Sequence, residues 1–480
     1  MTLRVLAALL LASVSLTPCT HAGEIIRFQA GAQAHTDVVL AHVPVKALVA
    51  EFLDPGDTGT GKSLSYLVWR EILTAISDQA GAGVILARAP GEERITDMLE
   101  KDYHGAAVRI AKEQKASMAV WGAVNTAGGD LFVNTYLSLL PETADTQLKL
   151  TLSGEPSLPP GLQAKIMRTN YNFPLVETPR ARLFERRIVT RKQVTLRATA
   201  DPSAQVVATL SKDKALDAVD MDKGWFKVRL ANGQVGYLDN SVVDVPPRTI
   251  EATLVSTTLK ATPGGQHVRN VTLNGPYRVL DMRYEAKTGL WYELEVDKVH
   301  GWVPAHLVRA RFSLPIVHFV AGLYRYQFKR YEDARREFAQ YVSALNFVND
   351  NPSLASAYQL LGASTMLTKN TVFETDDSVL EYFSKAVNAT PYDPSAYSLR
   401  ALAALAVQRK AETALKDLEQ ALSLDPTDPI ATRITDTIRQ DLMKPGGGRL
   451  RYMLEDGAAA GPKFENLANR YPMTGASTRE

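Results

Sequence analysis

Two stretches of about 65 residues, lying end to end, repeat one pattern, and no other feature limits the fold of this chain as sharply. In the first, Val194-Thr195-Leu196-Arg197 is followed by Pro202-Ser203, by an apolar stretch at 207–210, by Gly224-Trp225-Phe226-Lys227-Val228-Arg229-Leu230 and by Gly236-Tyr237-Leu238. In the second, Leu259-Lys260 precedes Pro263-Gly264, an apolar stretch at 271–273, Gly289-Leu290-Trp291-Tyr292-Glu293-Leu294 and Gly301-Trp302-Val303. Leu196 and Leu259 are 63 positions apart, Trp225 and Trp291 are 66, and Tyr237 and Trp302 are 65. A fixed period of this length marks a duplicated structural unit. Within each copy, short alternating stretches between glycine and proline turns predict the strands of a small barrel. A core that small needs aromatic bulk, which Trp225 and Trp291 are expected to supply. Tyr237, Tyr292 and Trp302 are then the rim aromatics, rigid faces suited to a peptide or a sugar.

This order resembles the bacterial SH3 domain in both copies. The resemblance implies two SH3-like β-barrels, over 188–247 and 248–312, and a ligand drawn from peptides or cell-wall peptidoglycan.

From Leu314 onward the apolar period becomes helical. Phe383, Ala386 and Pro391 recur 35 positions on as Leu418, Ala421 and Pro426. Tyr358 and Gly362 recur 39 positions on as Tyr397 and Ala401, which puts a four-residue insertion in the polar stretch 368–378. A third unit, with Gly322, Ala334 and Phe338, turns at Phe328-Lys329-Arg330-Tyr331. Small residues let paired helices touch, and the prolines end the second helices. This spacing resembles the tetratricopeptide repeat. It implies α-helical hairpins over 313–443, closed by a capping helix at 430–443, with a concave groove for a peptide or partner helix. Tyr324, Tyr326, Gln359 and Arg400 are the groove candidates on the first helices. Residues 444–480 are expected to form a flexible tail, with one short helix at 464–469.

Ahead of the barrels, residues 45–53 predict a buried strand, 63–80 a helix with Ser63 as its N-cap, and 84–86 a second strand. A helix at 106–115 and two strands at 118–124 and 131–139, turning at Gly128-Gly129, complete a small α/β domain. The strand ending in Phe52, the helix with Leu67 and Ile72, and Ala119-Val120-Trp121-Gly122-Ala123-Val124 leading to Gly128-Gly129 resemble the N-terminal domain of TolB, in whose family the domain serves binding and assembly. This domain is placed at 23–170, with a helix-like piece at 162–168 near its end. A linker at 171–187 follows. Arg180, Arg182, Arg186, Arg187, Arg191 and Lys192 make the junction with the first barrel basic, and such a stretch is expected to be solvated.

Gly56-Asp57-Thr58-Gly59-Thr60-Gly61-Lys62-Ser63 fits the phosphate-binding P-loop pattern between a strand and a helix. Backbone amides after Gly56 and Gly61 would cradle phosphates, Lys62 would meet the outer ones and Ser63 would ligate magnesium. The strand at 118–124 ends in Asn125 instead of the aspartate that would hold the metal. The preferred reading is therefore a glycine-rich turn between strand and helix.

The chain opens with Arg4, an apolar run at 5–16 and Thr20-His21-Ala22, the order of a secretory signal peptide cut after Ala22. A periplasmic protein is expected. Cys19, the one cysteine, lies inside that segment. Pro18 stands where a lipidated cysteine has a small residue, so lipidation at Cys19 is not the preferred reading. Disulfides and thiolate zinc sites are then excluded from the mature chain. A net charge of +2 points to no nucleic-acid partner, and no later stretch is long and apolar enough to span a membrane. The eight histidines are scattered, and the paired carboxylates Glu92-Glu93 and Asp376-Asp377 fall in loops. No catalytic residue, metal site or cofactor is assigned. The sequence reads as a non-catalytic envelope scaffold that binds an envelope protein or peptide and, as a further ligand, peptidoglycan. The alternatives are a regulator or targeting subunit of a cell-wall hydrolase and a P-loop nucleotide-binding enzyme.

Overall fold

The computed structural model describes residues 25–29, 45–77, 79, 82–87, 103–140, 147–153, 162–285, 287–345, 352–369, 377–408, 410–443 and 451–456. The expected signal segment and the helix at 464–469 lie outside these residues. The first sheet contains β1 (Ile25–Gln29), β2 (Val45–Ala50), β3 (Ala82–Ala87), β4 (Met118–Ala127) and β5 (Asp130–Leu139). Strand β2 runs parallel to β3 and β4, whereas β4 and β5 form the expected hairpin. Helix α1 (Thr60–Ala75) covers one face and α2 (Tyr103–Glu113) the other. The alternation along β2 follows from this: Ala47 and Val49 join the core on the α1 side, Leu48 and Ala50 the smaller core holding Ala107 and Ala111 of α2.

Helix α1 starts three residues before its expected N-cap. Asp54 causes this, because its carboxylate accepts hydrogen bonds from the backbone N–H of Thr60 at 2.8 Å and of Gly61 at 3.2 Å. Ser63 is thereby inside the first turn, with its hydroxyl donating to Gly59 O at 3.0 Å.

Strands β6 (Gln147–Ser153) and β7 (Leu162–Lys165) pair antiparallel, which replaces the helix expected at 162–168. The segment read as a linker is structured. Strands β8 (Asn170–Asn172) and β9 (Val176–Pro179) add to β5 of the first sheet, and a short helix α3 (Arg180–Phe184) leads on. The first β unit follows: β10 (Arg186–Thr190), β11 (Val194–Arg197), β12 (Val206–Leu210), β13 (Ala215–Asp222), β14 (Trp225–Arg229), β15 (Val235–Asp239) and β16 (Val243–Asp244), in the order β12-β11-β15-β14-β13-β10-β16. The second β unit holds β17 (Thr249–Lys260), β18 (His267–Glu285), β19 (Gly289–Val296), β20 (Val299–Pro304) and β21 (Arg309–Arg311); β18 pairs with both β17 and β19, so its sheet closes.

The C-terminal part is helical: α4 (Pro315–Gln327), α5 (Tyr331–Ala344), α6 (Pro352–Lys369), α7 (Asp377–Ala389), α8 (Pro394–Ala403), α9 (Ala411–Leu424) and α10 (Ala431–Met443). The hairpin contacts are those the repeat spacing implied. A Cβ on Gly322 would lie 2.6 Å from Phe338, and one on Gly362 would lie 2.5 Å from Phe383, so each first helix touches its partner through a glycine. Part of the expected tail is ordered: β22 (Arg451–Asp456) returns to pair with β6. No helix of the described residues is long and apolar enough to cross a membrane.

One hydrophobic core runs through the first sheet, the first β unit and the helices, while the second β unit has a core of its own. Helix α1 is the centre of the shared core. Fourteen of its sixteen residues are buried, because it is covered on three sides.

Candidate functional site

The glycine loop before α1 has two of its donors filled from within. The Thr60 and Gly61 amides, at the helix N-terminus where a phosphate would sit, donate to Asp54, and Thr58 Oγ1 donates to the same carboxylate at 2.9 Å. Two glycines have local reasons. A Cβ on Gly61 would lie 2.2 Å from Phe52 O, and Gly59 has φ 74° with Lys223 of the first β unit 2.8 Å from the place of its Cβ. The turn at Lys223-Gly224 sits over the loop: Gly224 N donates to Ser63 Oγ at 3.2 Å, and the Tyr66 ring lies 2.5 Å from where a Gly224 Cβ would be. Gly56 is exposed, Lys62 half-buried and Ser63 buried. This loop therefore carries the contact between the α/β domain and the first β unit.

Much of the basic junction is spent on packing: Arg182 and Lys192 are exposed, as the solvated reading has them, but Arg180, Arg186 and Arg191 are not. Arg180 clasps three groups at once, Asp220 Oδ1 at 2.9 Å, Thr60 Oγ1 at 2.7 Å and Met221 O at 2.6 Å. Arg186 forms an ion pair with Glu71 of α1 at 3.1 Å, with side-chain exposures of 1% and 3%. Burial pushes its guanidinium pKa below the ordinary value, an effect Glu71 opposes. Glu71 also accepts from Ser313 N at 2.9 Å and Ser313 Oγ at 2.6 Å. Arg191 joins Asp244 of the first β unit to Asp281 of the second. Arg70 of α1 donates to Asn240 O at 2.5 Å, and burial pushes its pKa down to about 10. Asp54, Tyr66, Arg70 and Glu71 carry these junctions, and nothing in their local pattern separates them from ordinary loop or helix-surface residues.

The expected helical groove is largely covered by the chain itself. Tyr324 is fully buried, and its hydroxyl accepts from Ala47 N and donates to Gly83 O, both at 2.5 Å, which ties α4 to β2 and β3. Burial raises its pKa far above that of a free phenol. Phe319 of α4 packs against Tyr171, with ring centroids 4.9 Å apart, and Arg168 pairs with Asp393 ahead of α8. Tyr326 and Gln359 are 2% and 3% exposed. These three candidates are thus interior residues, since the first helices pack against the α/β domain. Arg400 is half-buried and held by both Asp417 oxygens, at 2.8 and 2.6 Å.

The aromatics of the two β units divide differently from the expectation. Trp291, Tyr292 and Trp302 are all buried, so Tyr292 and Trp302 are not open rim residues. The Arg283 guanidinium lies 5.0 Å over the Trp302 ring. Trp225, expected in the core, is half-buried, as is Tyr237. The core position falls to Phe226, which is fully buried. The reason is register: Trp225 pairs with Asp239 and Lys227 with Tyr237, so Trp225, Lys227, Tyr237 and Asp239 share one face of the β14–β15 hairpin while Phe226, Val228 and Leu238 face inward. Trp225 and Tyr237 are the members of the aromatic set left facing outward. Among the described residues no cluster of three or more His, Cys, Asp or Glu side chains is placed to hold a metal ion.

Fold and site together define a modular chain, with an α/β sheet, β units and helical hairpins, in which Trp225 and Tyr237 form a half-open aromatic pair on the first β unit. Residues 192–244, within that unit, match the family described as Bacterial SH3 domain. No curated protein sequence is significantly similar to the chain. Among solved structures, the chain is similar to the first TPR domain of the human RPAP3 protein, 23% identical over 27% of this chain and 91% of that one, with a TM-score of 0.23. The Arabidopsis OM64 TPR domain is 19% identical over 26% and 94%, with a TM-score of 0.22. The CBD of the endolysin LysPBC5 is 12% identical over 27% and 96%, with a TM-score of 0.14. Scores this low carry no argument, and the helical hairpins rest on the glycine contacts described above.

Proposed function

We propose that this chain is an exported, non-catalytic adaptor of the cell envelope. The outward face of the first β unit, with Trp225 and Tyr237, binds a peptide or peptidoglycan, and the α/β domain and helical hairpins hold that unit in a fixed orientation. The observation that carries the reading is the contrast in exposure. Trp225 and Tyr237 remain half-open on a unit similar to bacterial SH3 domains, while Tyr292, Trp302, Tyr324, Tyr326 and Gln359 are spent on packing. The second β unit is, in this proposal, a second SH3-like barrel that serves as a spacer, and the N-terminal sheet is a TolB-like docking module. The preference against nucleotide binding is supported by Asp54, which takes two of the amide donors a nucleotide phosphate would need.

The test is co-sedimentation of the full chain with isolated sacculi, together with retention of partners from envelope extracts. Trp225→Ala and Tyr237→Ala should each cut retention at least about fivefold, in line with an aromatic anchor in an interface, with the melting temperature of Tyr237→Ala unchanged. Retention equal in wild type and both variants, or none on either material, would sink the proposal. A fluorescent ATP analogue that binds wild type and is lost on Lys62→Ala would favour the nucleotide-binding alternative instead.

A further inference from the structure

Strand β22 is the last described element of the chain, and it is paired on one side only. The three-stranded sheet runs β22-β6-β7, so β22 is an outer strand, antiparallel to β6 from Arg451 opposite Ser153 to Asp456 opposite Leu148. Its other neighbours are helical. It lies beside α6 and beside Ala404–Gln408, which continues α8. Those are the first helices of two successive hairpins, the surface on which the sequence places a peptide groove. Residues 451–456 of the chain itself thus lie where a bound peptide is expected.

Three features set this contact apart from the shared core. The strand is held along one edge, near a chain end, and the stretch before it contains Gly446-Gly447-Gly448. An element tied in that way opens locally at far less cost than the core unfolds. The helix beside it changes to a π-helix over Ala404–Gln408, where Lys410 N donates to Ala404 O at 3.1 Å. Single π turns inside α-helices are rare and occur often at functional sites. Helix α6 is also unlike an apolar core helix. Ser353, Ser356, Gln359, Ser364 and Thr365 are all buried in it, and Gln359 Nε2 and Ser364 Oγ make no hydrogen bond. Polar groups left in that state suit a helix that is open to water for part of the time.

We propose that the edge of β6, with α6 and Ala404–Gln408, is a receptor for one extended peptide strand, and that residues 451–456 are its built-in competitor. The partner is a protein segment in extended conformation. It pairs antiparallel with β6 through backbone N–H and C=O groups, in the place now held by Arg451–Asp456. Proline is excluded from its centre, because the strand must donate to β6. The site is separate from the Trp225–Tyr237 face and stands or falls without it.

The probe is a fluorescent peptide of this chain's own residues 449–457, followed by anisotropy on titration with the full chain. In the wild type the tethered strand competes, so the apparent affinity is reduced by the fraction of molecules whose site is open. Met453→Pro with Leu454→Pro, in the full chain, removes the N–H of two neighbouring residues, one of which faces β6, and frees the site. This variant should keep the far-ultraviolet dichroism of the wild type. It should bind the peptide saturably below about 1 mM and at least about tenfold more tightly than the wild type does. A peptide carrying the same two prolines should not bind. In the wild type, hydrogen exchange gives a second readout that needs no variant. An isotope-labelled copy of the peptide at about 1 mM should speed exchange at 451–456 of the chain and leave β6 protected. No saturable binding to the variant, equal affinity for variant and wild type, or equal binding of the proline peptide would overturn the proposal. So would unchanged exchange at 451–456 with the peptide present, or loss of protection in β6 together with it.

Discussion

Glu71→Gln is the most informative single change, because Glu71 sits where three parts of the chain meet. Its carboxylate, on α1, binds Arg186 at the start of the first β unit and Ser313 just before the helical hairpins. Gln keeps the shape and one acceptor oxygen for Ser313 but removes the charge. Arg186 then keeps its two bonds to Leu183 O, at 3.1 and 2.7 Å, and its bond to Ser313 Oγ, but loses its counter-ion while 4% exposed. Removing one partner of a buried ion pair typically costs about 3–5 kcal/mol. The backbone and hydroxyl bonds that remain place this case toward the lower end, about 3 kcal/mol. Replacing both partners, as Glu71→Leu with Arg186→Met, should recover more than half of the loss, since a well-packed apolar pair avoids the desolvation penalty. The assay is urea unfolding followed by tryptophan fluorescence and far-ultraviolet circular dichroism. Because α1, the first β unit and the hairpins share one core, both probes should shift together to lower urea. A loss under about 1 kcal/mol would refute the buried-charge reasoning. Two separate transitions, with only one displaced, would refute the shared-core account.

Three further outcomes follow from particular contacts. Gly224→Ala should cost about 2–3 kcal/mol, because φ is +84° and the new Cβ would meet the Tyr66 ring at 2.5 Å; a melting temperature equal to wild type would remove this turn as the contact point with α1. Gly322→Ala should cost about 1–3 kcal/mol by overpacking against Phe338, and Phe338→Leu in the same chain should lessen that penalty, as chemical denaturation of the single and double variants will show. Glu332 is held below the ordinary carboxylate pKa, chiefly by its hydrogen bond from Arg335. A lowered folded-state pKa gives stability that is present above the unfolded value near 4.5 and is lost as pH falls through the folded value. Glu332→Gln should therefore reduce the fall in melting temperature between pH 5 and about pH 3, slightly, because the pair is partly exposed.

Much of the architecture was legible because its periods are local. The β14–β15 strands follow from alternation around glycine turns. The helical hairpins follow from a small residue set against an aromatic, and the contacts of Gly322 with Phe338 and of Gly362 with Phe383 are that pattern in space. The β4–β5 hairpin was visible in Gly128-Gly129 for the same reason. The candidate site was less legible. Sequence marked Tyr237 as a rim aromatic but placed Trp225 in the core, because bulk alone does not say which face of a strand points inward. The neighbours decide that: Phe226, one residue on, took the interior position. Tyr324, Tyr326 and Gln359 look like groove residues in a free-standing repeat and are interior here. Segment 170–179 and the basic junction read as linker because their partners lie far away in the chain.

By itself, then, the amino-acid order determined the elements and their repetition, through hydrophobic period, turn residues and close-packing glycines, all of which act over a few residues. Only the tertiary structure decided how the pieces dock. Whether Arg186 is solvated or buried depends on Glu71, 115 positions away, and whether the glycine loop offers its amides to a phosphate depends on the rotamer of Asp54 and the approach of Lys223-Gly224. Those are long-range distances between groups whose local sequence is ordinary, and no pattern along the chain encodes them separately from the fold. The tandem repeat that constrained the chain most strongly thus predicted two β units, but it was their burial against different neighbours that left Trp225 and Tyr237 half-open on the first of them while their counterparts Trp291 and Trp302 were buried on the second.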